Sequence, residues 1–534
     1  MFEEEHQVEK VHEETPLKCS SAGVWKYNAV SRRLSEFQYE FTSELDRLAI
    51  FRDYAQLTLL IPFVIILVPL LLIIALMWAC GTCCWRKIGT TFAYRQTTFN
   101  KSFVERLLAE VGHYVPPIWY NHHLGTCIPM GSSPSLKFER EMYFHGDGSQ
   151  FACDWYPYAP CNHELNGNKE RLVCLYLCGL GLSSDANVAQ IFARNITSRY
   201  DIPTCCGIIV PRGHPTSGIP LSTPKLWHGA CTDDVKLILE ELRITSSLKG
   251  ESCKVFITGF SASSNIVVMT LADLSSSHSH YFHCENSDSP MEIVGAMLVA
   301  ANYDYASSMK ALECNFIGSI YSRLFVKQFK EFLNMNQHMH ERISGIQTLM
   351  SCEMISEYDK AAFKIYGYDS IDSYYSRLRP KDILHKIGVP MVTIVGADDP
   401  LYLYSHGSVR DGIDLEHYTN NKNIIFIEPS HGNHFGFCDG SIFEIFTNQT
   451  SYLYPPKVAK VLLDMILERR GKRRYAYEIQ NESCSLASSI ELDTTNEYKG
   501  EDVEVNAALV DSGDAQYILE TSYYTTELEN DSKS

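Results

Sequence analysis

From about residue 170 onward the chain repeats one pattern: a short, nearly continuous apolar run, then a longer stretch whose apolar residues recur at helical spacing. The runs are Leu172–Cys178, Cys205–Val210, Val255–Thr258, Ile293–Val299, Met391–Val395 and Ile424–Ile427. A strand with one face in water alternates apolar and polar residues. Runs without alternation belong to strands covered on both faces, so with helices between them they predict a mostly parallel sheet sandwiched by helices. Ahead of them, FEREMYFHGDGSQFACDWYP reads as a β-hairpin turning at Gly146, Asp147 and Gly148, an antiparallel edge for that sheet. Earlier still, FNKSFVERLLAEVGHYVP has helical periodicity through Phe103, Leu107, Leu108 and Val111 and stops at Pro116. The interval from Tyr303 to Val389, roughly 90 residues, is far longer than a simple crossover needs, so extra helices are expected there as a cap over the sheet.

One segment breaks the pattern. Leu57–Cys80, LTLLIPFVIILVPLLLIIALMWAC, is uncharged over about 24 positions, enough helix to exceed the roughly 30 Å of a bilayer's hydrocarbon core. It reads as a single membrane span, its prolines Pro62 and Pro69 tolerated as they are in bilayer helices. Arg86, Lys87, Arg95 and Lys101 follow before the first acid at Glu105, whereas Arg47 and Arg52 are interleaved with Glu44, Asp46 and Asp53, so the C-terminal side is expected to face the cytosol. Cys80, Cys83 and Cys84 at that boundary suit either palmitoylation or simple packing. The chain then divides into a polar region 1–56, the span 57–80, a helical juxtamembrane segment 81–114, an α/β domain 115–470 with its cap at about 303–388, and an acidic tail 471–534 expected to be disordered. Net charge, −18 over 534 residues, argues against nucleic acid as a partner. The 18 cysteines lack the spacing of a disulfide scaffold or a zinc site; Cys174, Cys178, Cys205 and Cys206 read as small buried residues, and neither metal nor cofactor is indicated. The glycosylation sequons at Asn100, Asn195, Asn448, Asn481 and Asn530 are of a number that chance supplies. Oligomeric state leaves no trace in the sequence.

Open parallel sheets bind ligands outside the carboxyl ends of their strands, so reactive side chains are expected just after the apolar runs. In VFITGFSASSNIVV, Ser261 sits where a strand gives way to small residues and a helix, as a nucleophile elbow requires. Asp399 follows a run in VPMVTIVGADDPLY, and His434 follows the last one in FIEPSHGNHFGF. In that chain order Ser261 would attack an ester carbonyl, His434 would take and return its proton, and Asp399 would hold the imidazole. Two backbone donors complete the expectation, the N–H of Ala262 at the elbow and that of Leu180 in the turn LYLCGLGLSSD after the first parallel run. Each choice has a rival: Asp398 beside Asp399, His431 near His434, and His228 with Asp233, whose HxxxxD spacing suggests acyl transfer but also fits a helix start.

These motifs, with PRGHPTSGIPLSTPKLWHGACTDDV and YGYDSIDSYYSRLRPKDILHKIGVPMVTIVGADDP, resemble the abhydrolase-domain 1, 2 and 3 group of the α/β-hydrolase superfamily over residues 115 to 470. The resemblance implies an α/β-hydrolase fold and a membrane-anchored serine hydrolase of lipid esters: monoacylglycerols, short- or medium-chain acyl esters, or phospholipids. The family's serine motif resembles GFSMGGN. Ser261 and Asn265 match it, while Ser263 and Ser264 replace two glycines, and the family's HGGH stands here as HGNH with His434 retained. A lipid- or sterol-binding protein of weak or absent turnover, or an acyltransferase, is the alternative that the two serines keep open.

Overall fold

The computed structural model describes residues 88–116, 136–163, 169–197, 202–213, 218–277, 289–401, 420–434, 453–470 and 517–524, with a few isolated positions besides. Residues 1–86 and 87–534 separate into two compact units. In the first, only Leu67–Pro69 and Leu71 are described, as helix, so nearly all of the expected span Leu57–Cys80, with Cys80, Cys83 and Cys84, lies outside the described residues. Among the described residues no helix is long and apolar enough to cross a membrane.

The second unit is built on one ten-stranded sheet ordered β10-β1-β9-β8-β7-β6-β4-β5-β3-β2. Every apolar run named above is a strand: β4 Glu170–Leu177, β5 Thr204–Val210, β6 Ser252–Phe260, β7 Met291–Val299, β8 Met391–Ile394 and β9 Ile424–Pro429. All of these pair in parallel. The hairpin β2 Glu139–Phe144 and β3 Gln150–Tyr156 closes one edge, β3 running antiparallel to β5. Gly207 of β5 is opposite Trp155, whose buried indole fills the place a Cβ would take.

The far edge departs from the sequence reading. Residues 88–95 were expected in a helical juxtamembrane segment, yet Ile88–Arg95 forms β1, antiparallel to β9 through pairs such as Phe92 with Ile427. The sheet therefore begins well before residue 115, and only Thr98–Glu110, helix α1, matches the helical expectation. IGTTFAYR has the β-branched and aromatic content of a strand. Within the stretch read as an acidic tail, Tyr517–Tyr524 forms β10 along β1.

Both faces of the central strands are covered, which is why their sequences do not alternate. In β4, Leu172, Cys174 and Tyr176 enter one core, with α1, α2 (Asn187–Thr197) and α10 (454–470). Val173, Leu175 and Leu177 enter the other, with α3 (Asp233–Lys249) and α4 (Ala262–Ser277). Cys174, Cys205 and Cys206 are buried free thiols in these strands. Burial pushes all of them well above the ordinary thiol range, which keeps them protonated and inert.

Between β7 and β8 the expected extra helices are present: α5 (Tyr305–Glu313), α6 (Phe316–Met335), α7 (Ile346–Ser351), α8 (Ile355–Ala362) and α9 (Ile371–Arg377), with 3-10 turns at Gln337–Arg342 and Pro380–Lys386. Asn336, at the end of α6, ties this cap to the loop after β5, donating to the Gly213 carbonyl at 3.0 Å and accepting from the Leu221 N–H at 2.8 Å.

Candidate active site

Chain direction reverses beside β4. β5 lies on one side of it, and β6 to β9 continue on the other. A crevice opens where connections leave such a reversal in opposite directions, outside the carboxyl ends of β4 and β6. The turn holding Leu180 follows β4, and Ser261 follows β6.

Ser261 has a φ of 54°. A non-glycine residue in the left-handed region costs on the order of 1 to 3 kcal/mol and persists only where surrounding bonds hold it. Here its N–H donates to the Val299 carbonyl at 2.8 Å, and its own carbonyl accepts from the Ser264 N–H at 2.9 Å. The turn also needs Gly259, where a Cβ would lie 2.7 Å from the Ser264 Cα. The two serines that stand in place of glycines are buried and bonded: the Ser263 hydroxyl donates to the Cys178 carbonyl, and that of Ser264 to the carbonyls of Gly259 at 2.9 Å and Val299 at 3.1 Å. The bonds to Cys178 and Val299 join the elbow to the ends of the neighbouring strands β4 and β7, and that to Gly259 ties it back to β6. The sequence marks these residues only as replacements of two glycines; the bonds their hydroxyls make become visible with the carbonyls that the strand ends present here.

His434 is fully buried, and its Nε2 lies 2.7 Å from the Ser261 Oγ while its Nδ1 lies 2.7 Å from Asp399 Oδ2. A carboxylate only accepts, so Nδ1 carries the proton and Nε2 is left to accept from the serine hydroxyl. The other oxygen of Asp399 accepts from the Leu401 N–H at 2.9 Å. The rivals take different places. Asp398 accepts from the N–H groups of Gly432 and Asn433 at 2.8 and 2.9 Å, and its second oxygen faces His431 Nδ1 at 3.4 Å. It holds the loop that delivers His434. Asn433, at the departure from HGGH, has a φ of 50°, a conformation asparagine tolerates better than most side chains.

Ala262 opens α4, so its N–H is among those a helix leaves without an internal partner. Leu180 lies in the turn closed by the Leu182 N–H on the Gly179 carbonyl at 3.2 Å. The Gln328 side chain, on α6, lies against the next residue: a Cβ on Gly181, whose φ is 72°, would meet its Oε1 at 2.8 Å. The cap thus reaches the crevice.

The HxxxxD pair does not assemble. His228 Nδ1 accepts from the Ala230 N–H at 3.2 Å, and the ring stacks on Tyr366 with centroids 4.5 Å apart. Burial holds this imidazole down at about 3, neutral. Asp233 instead bonds Lys225 at 3.0 Å in the first turn of α3, whose N-cap is Thr232. Its neighbour Asp234 accepts from the buried guanidinium of Arg212 and faces His145 Nε2 at 2.7 Å, joining α3 to the hairpin turn and the end of β5.

No family model matches the chain. Curated relatives include phospholipase ABHD3 of Bos taurus, 20% identical over 66% of this chain and 79% of its own length, and that of Homo sapiens, 22% identical over 64% and 76%. Monoacylglycerol lipase ABHD2 of Homo sapiens is 24% identical over 42% of this chain and 51% of its own. In sequence the chain is thus similar to lipases of the abhydrolase-domain type. Among solved structures, esterase B from Lactobacillus Rhamnosis overlaps at 13% identity and TM-score 0.36, over 72% of this chain and 99% of its own, a likeness too distant to argue from.

Proposed function

We propose that this chain is a membrane-held serine hydrolase of lipid carboxylic esters, such as monoacylglycerols, acyl esters or phospholipids. The observation that carries the proposal is the single imidazole of His434 within 2.7 Å of both the Ser261 hydroxyl and the Asp399 carboxylate. The names of the relatives, phospholipase and monoacylglycerol lipase, support lipid esters as the substrate class.

In this reading Ser261 Oγ attacks the carbonyl carbon as its proton passes to His434 Nε2. Asp399 keeps the ring in the tautomer that can accept that proton and stabilises the imidazolium. Charge moves onto the carbonyl oxygen, which the N–H groups of Ala262 and Leu180 receive. Collapse breaks the ester C–O bond and His434 returns the proton to the departing alcohol; a water activated by the same imidazole then releases the acid. The uncharged stretch Leu57–Cys80 anchors the chain as a single span, with Arg86 and Lys87 on the cytosolic side, and holds the site beside substrates dissolved in the bilayer.

The test is labelling with a fluorophosphonate probe followed by turnover of monoacylglycerol and phospholipid. Labelled wild type, unlabelled Ser261→Ala and release of free fatty acid are expected. Folded wild-type protein that takes no label sinks the proposal.

A further inference from the structure

Helix α6 has two apolar sides. Ser322, Val326 and Leu333 are buried in the cap. On the opposite side, Phe316 is 79% exposed, Ile317 and Ile320 are each 42% exposed, and Leu324 is 51% exposed. Phe316, Ile320 and Leu324 are successive steps of one helical row, so they form a ridge along the first turns of the helix. Large apolar side chains grouped this way on a protein surface mark a contact site.

Charge selects the occupant. The chain carries a net −18, yet α6 holds Arg323, Lys327 and Lys330 against the single acid Glu331, which lies 3.7 Å from Lys327. Arg323 and Lys327 are exposed on the same side as the ridge. An apolar row bordered by cations is the composition of a helix that lies in the headgroup plane of an anionic membrane. Geometry gives the contact a use: Gln328 of the same helix abuts Gly181, so a docked α6 brings the crevice to the lipid surface.

We propose that the exposed face of α6, Phe316, Ile317, Ile320 and Leu324 bordered by Arg323 and Lys327, docks on an anionic phospholipid bilayer and orients the cap for substrate entry. The proposal rests on the lipid-ester reading above for its purpose, though the docking itself is measurable without turnover.

The experiment uses full chain reconstituted into phosphatidylcholine vesicles with and without about one third phosphatidylserine. Ile320→Glu/Leu324→Glu is expected to lower turnover of vesicle-borne monoacylglycerol by about tenfold or more while a water-soluble butyrate ester is cleaved within about twofold of wild type. Arg323→Gln/Lys327→Gln is expected to abolish the gain from phosphatidylserine. Independently, Leu324→Trp in vesicles of brominated phosphatidylcholine should show tryptophan quenching beyond that of wild type. Absence of extra quenching overturns the docking, as does a ridge variant active on both substrates, or a concentration-dependent dimer that the ridge variant dissolves. Quenching in protein that cleaves neither ester leaves the docking standing and overturns the hydrolase reading instead.

Discussion

In the sheet, β4 sends Leu172, Cys174 and Tyr176 into one core and Val173, Leu175 and Leu177 into the other, and backbone ladders hold every strand to its neighbours. The cap is joined differently. Glu313 accepts from the Ser322 hydroxyl and from the Ser356 N–H, each at 2.9 Å, and so ties three helices together through one carboxylate. Asp359 accepts from the Tyr375 hydroxyl at 3.3 Å, and His228 is enclosed by Tyr366, Tyr368 and Tyr374. Backbone bonds survive most substitutions, whereas a junction made of side chains is lost with one atom and can respond to pH. The floor is thus suited to fixed chemical geometry, and the cap to conditional contact.

The largest effects should come from the floor and leave the fold alone. Ser261→Ala is expected to cut turnover of a short ester by about 10⁴-fold or more, with melting unchanged within a few degrees. His434→Gln, similar in volume, should match it. A double variant no slower than either single one would show that the two act as one unit.

Asp399 and Asp398 sharpen the comparison, being adjacent in the chain but doing different work. Asp399→Asn should lose about 10³- to 10⁴-fold in kcat, because an amide no longer fixes the imidazole tautomer. Asp398→Asn weakens the hold on Gly432 and Asn433, costing about 1 to 2 kcal/mol of stability with an activity loss near tenfold. Equal kinetic losses at the two sites would erase that division.

How much was legible follows the same line. The parallel strands were readable because burial on both faces writes itself as unbroken apolar runs; Ser261, Asp399 and His434, which the structure brings within hydrogen-bond distance, stand just past the ends of those runs. β1 was not readable, since the short strand IGTTFAYR beside a well-marked helix carries too little pattern of its own. β10 is set by pairing with residues more than 400 positions earlier, which no local window contains. Within the site, the split between Asp398 and Asp399 depends on which backbone N–H groups a turn presents, and neighbours with identical side chains cannot reveal that. The HxxxxD spacing belongs, as the helix-start reading had it, to the opening of α3, while His228 is turned into the tyrosines of the cap.

A smaller effect should appear in the cap and depend on pH. Burial raises the Asp359 carboxyl to about 7, despite the hydroxyls of Tyr305 and Tyr375 that oppose the rise, with Glu313 adding to it. A carboxyl whose folded pKa exceeds its unfolded value contributes stability that is complete at low pH and is lost as pH rises toward 7. Asp359→Asn removes that dependence. The melting temperature of the variant relative to wild type should therefore climb between pH 5 and pH 8, by roughly a few kcal/mol of stability. A constant difference across that range would show that this junction does not titrate.

The smallest effect belongs to Ser263 and Ser264, which stand where the resembled GFSMGGN motif has glycines. Ser263→Gly removes the hydroxyl on the Cys178 carbonyl and places glycine in the first turn of α4. A lost hydrogen bond and a helical glycine each cost about 1 kcal/mol, so melting should fall by several degrees. Turnover should stay within about threefold, because Ser261 keeps its φ through its own bonds to Val299 and Ser264. Ser264→Gly should behave alike, since its hydroxyl braces Gly259 and Val299 and not the reacting atoms. If either glycine instead raised turnover tenfold, the native hydroxyls would be holding the elbow in a poorer geometry, and a strand-end brace would have become a brake on the chemistry it supports.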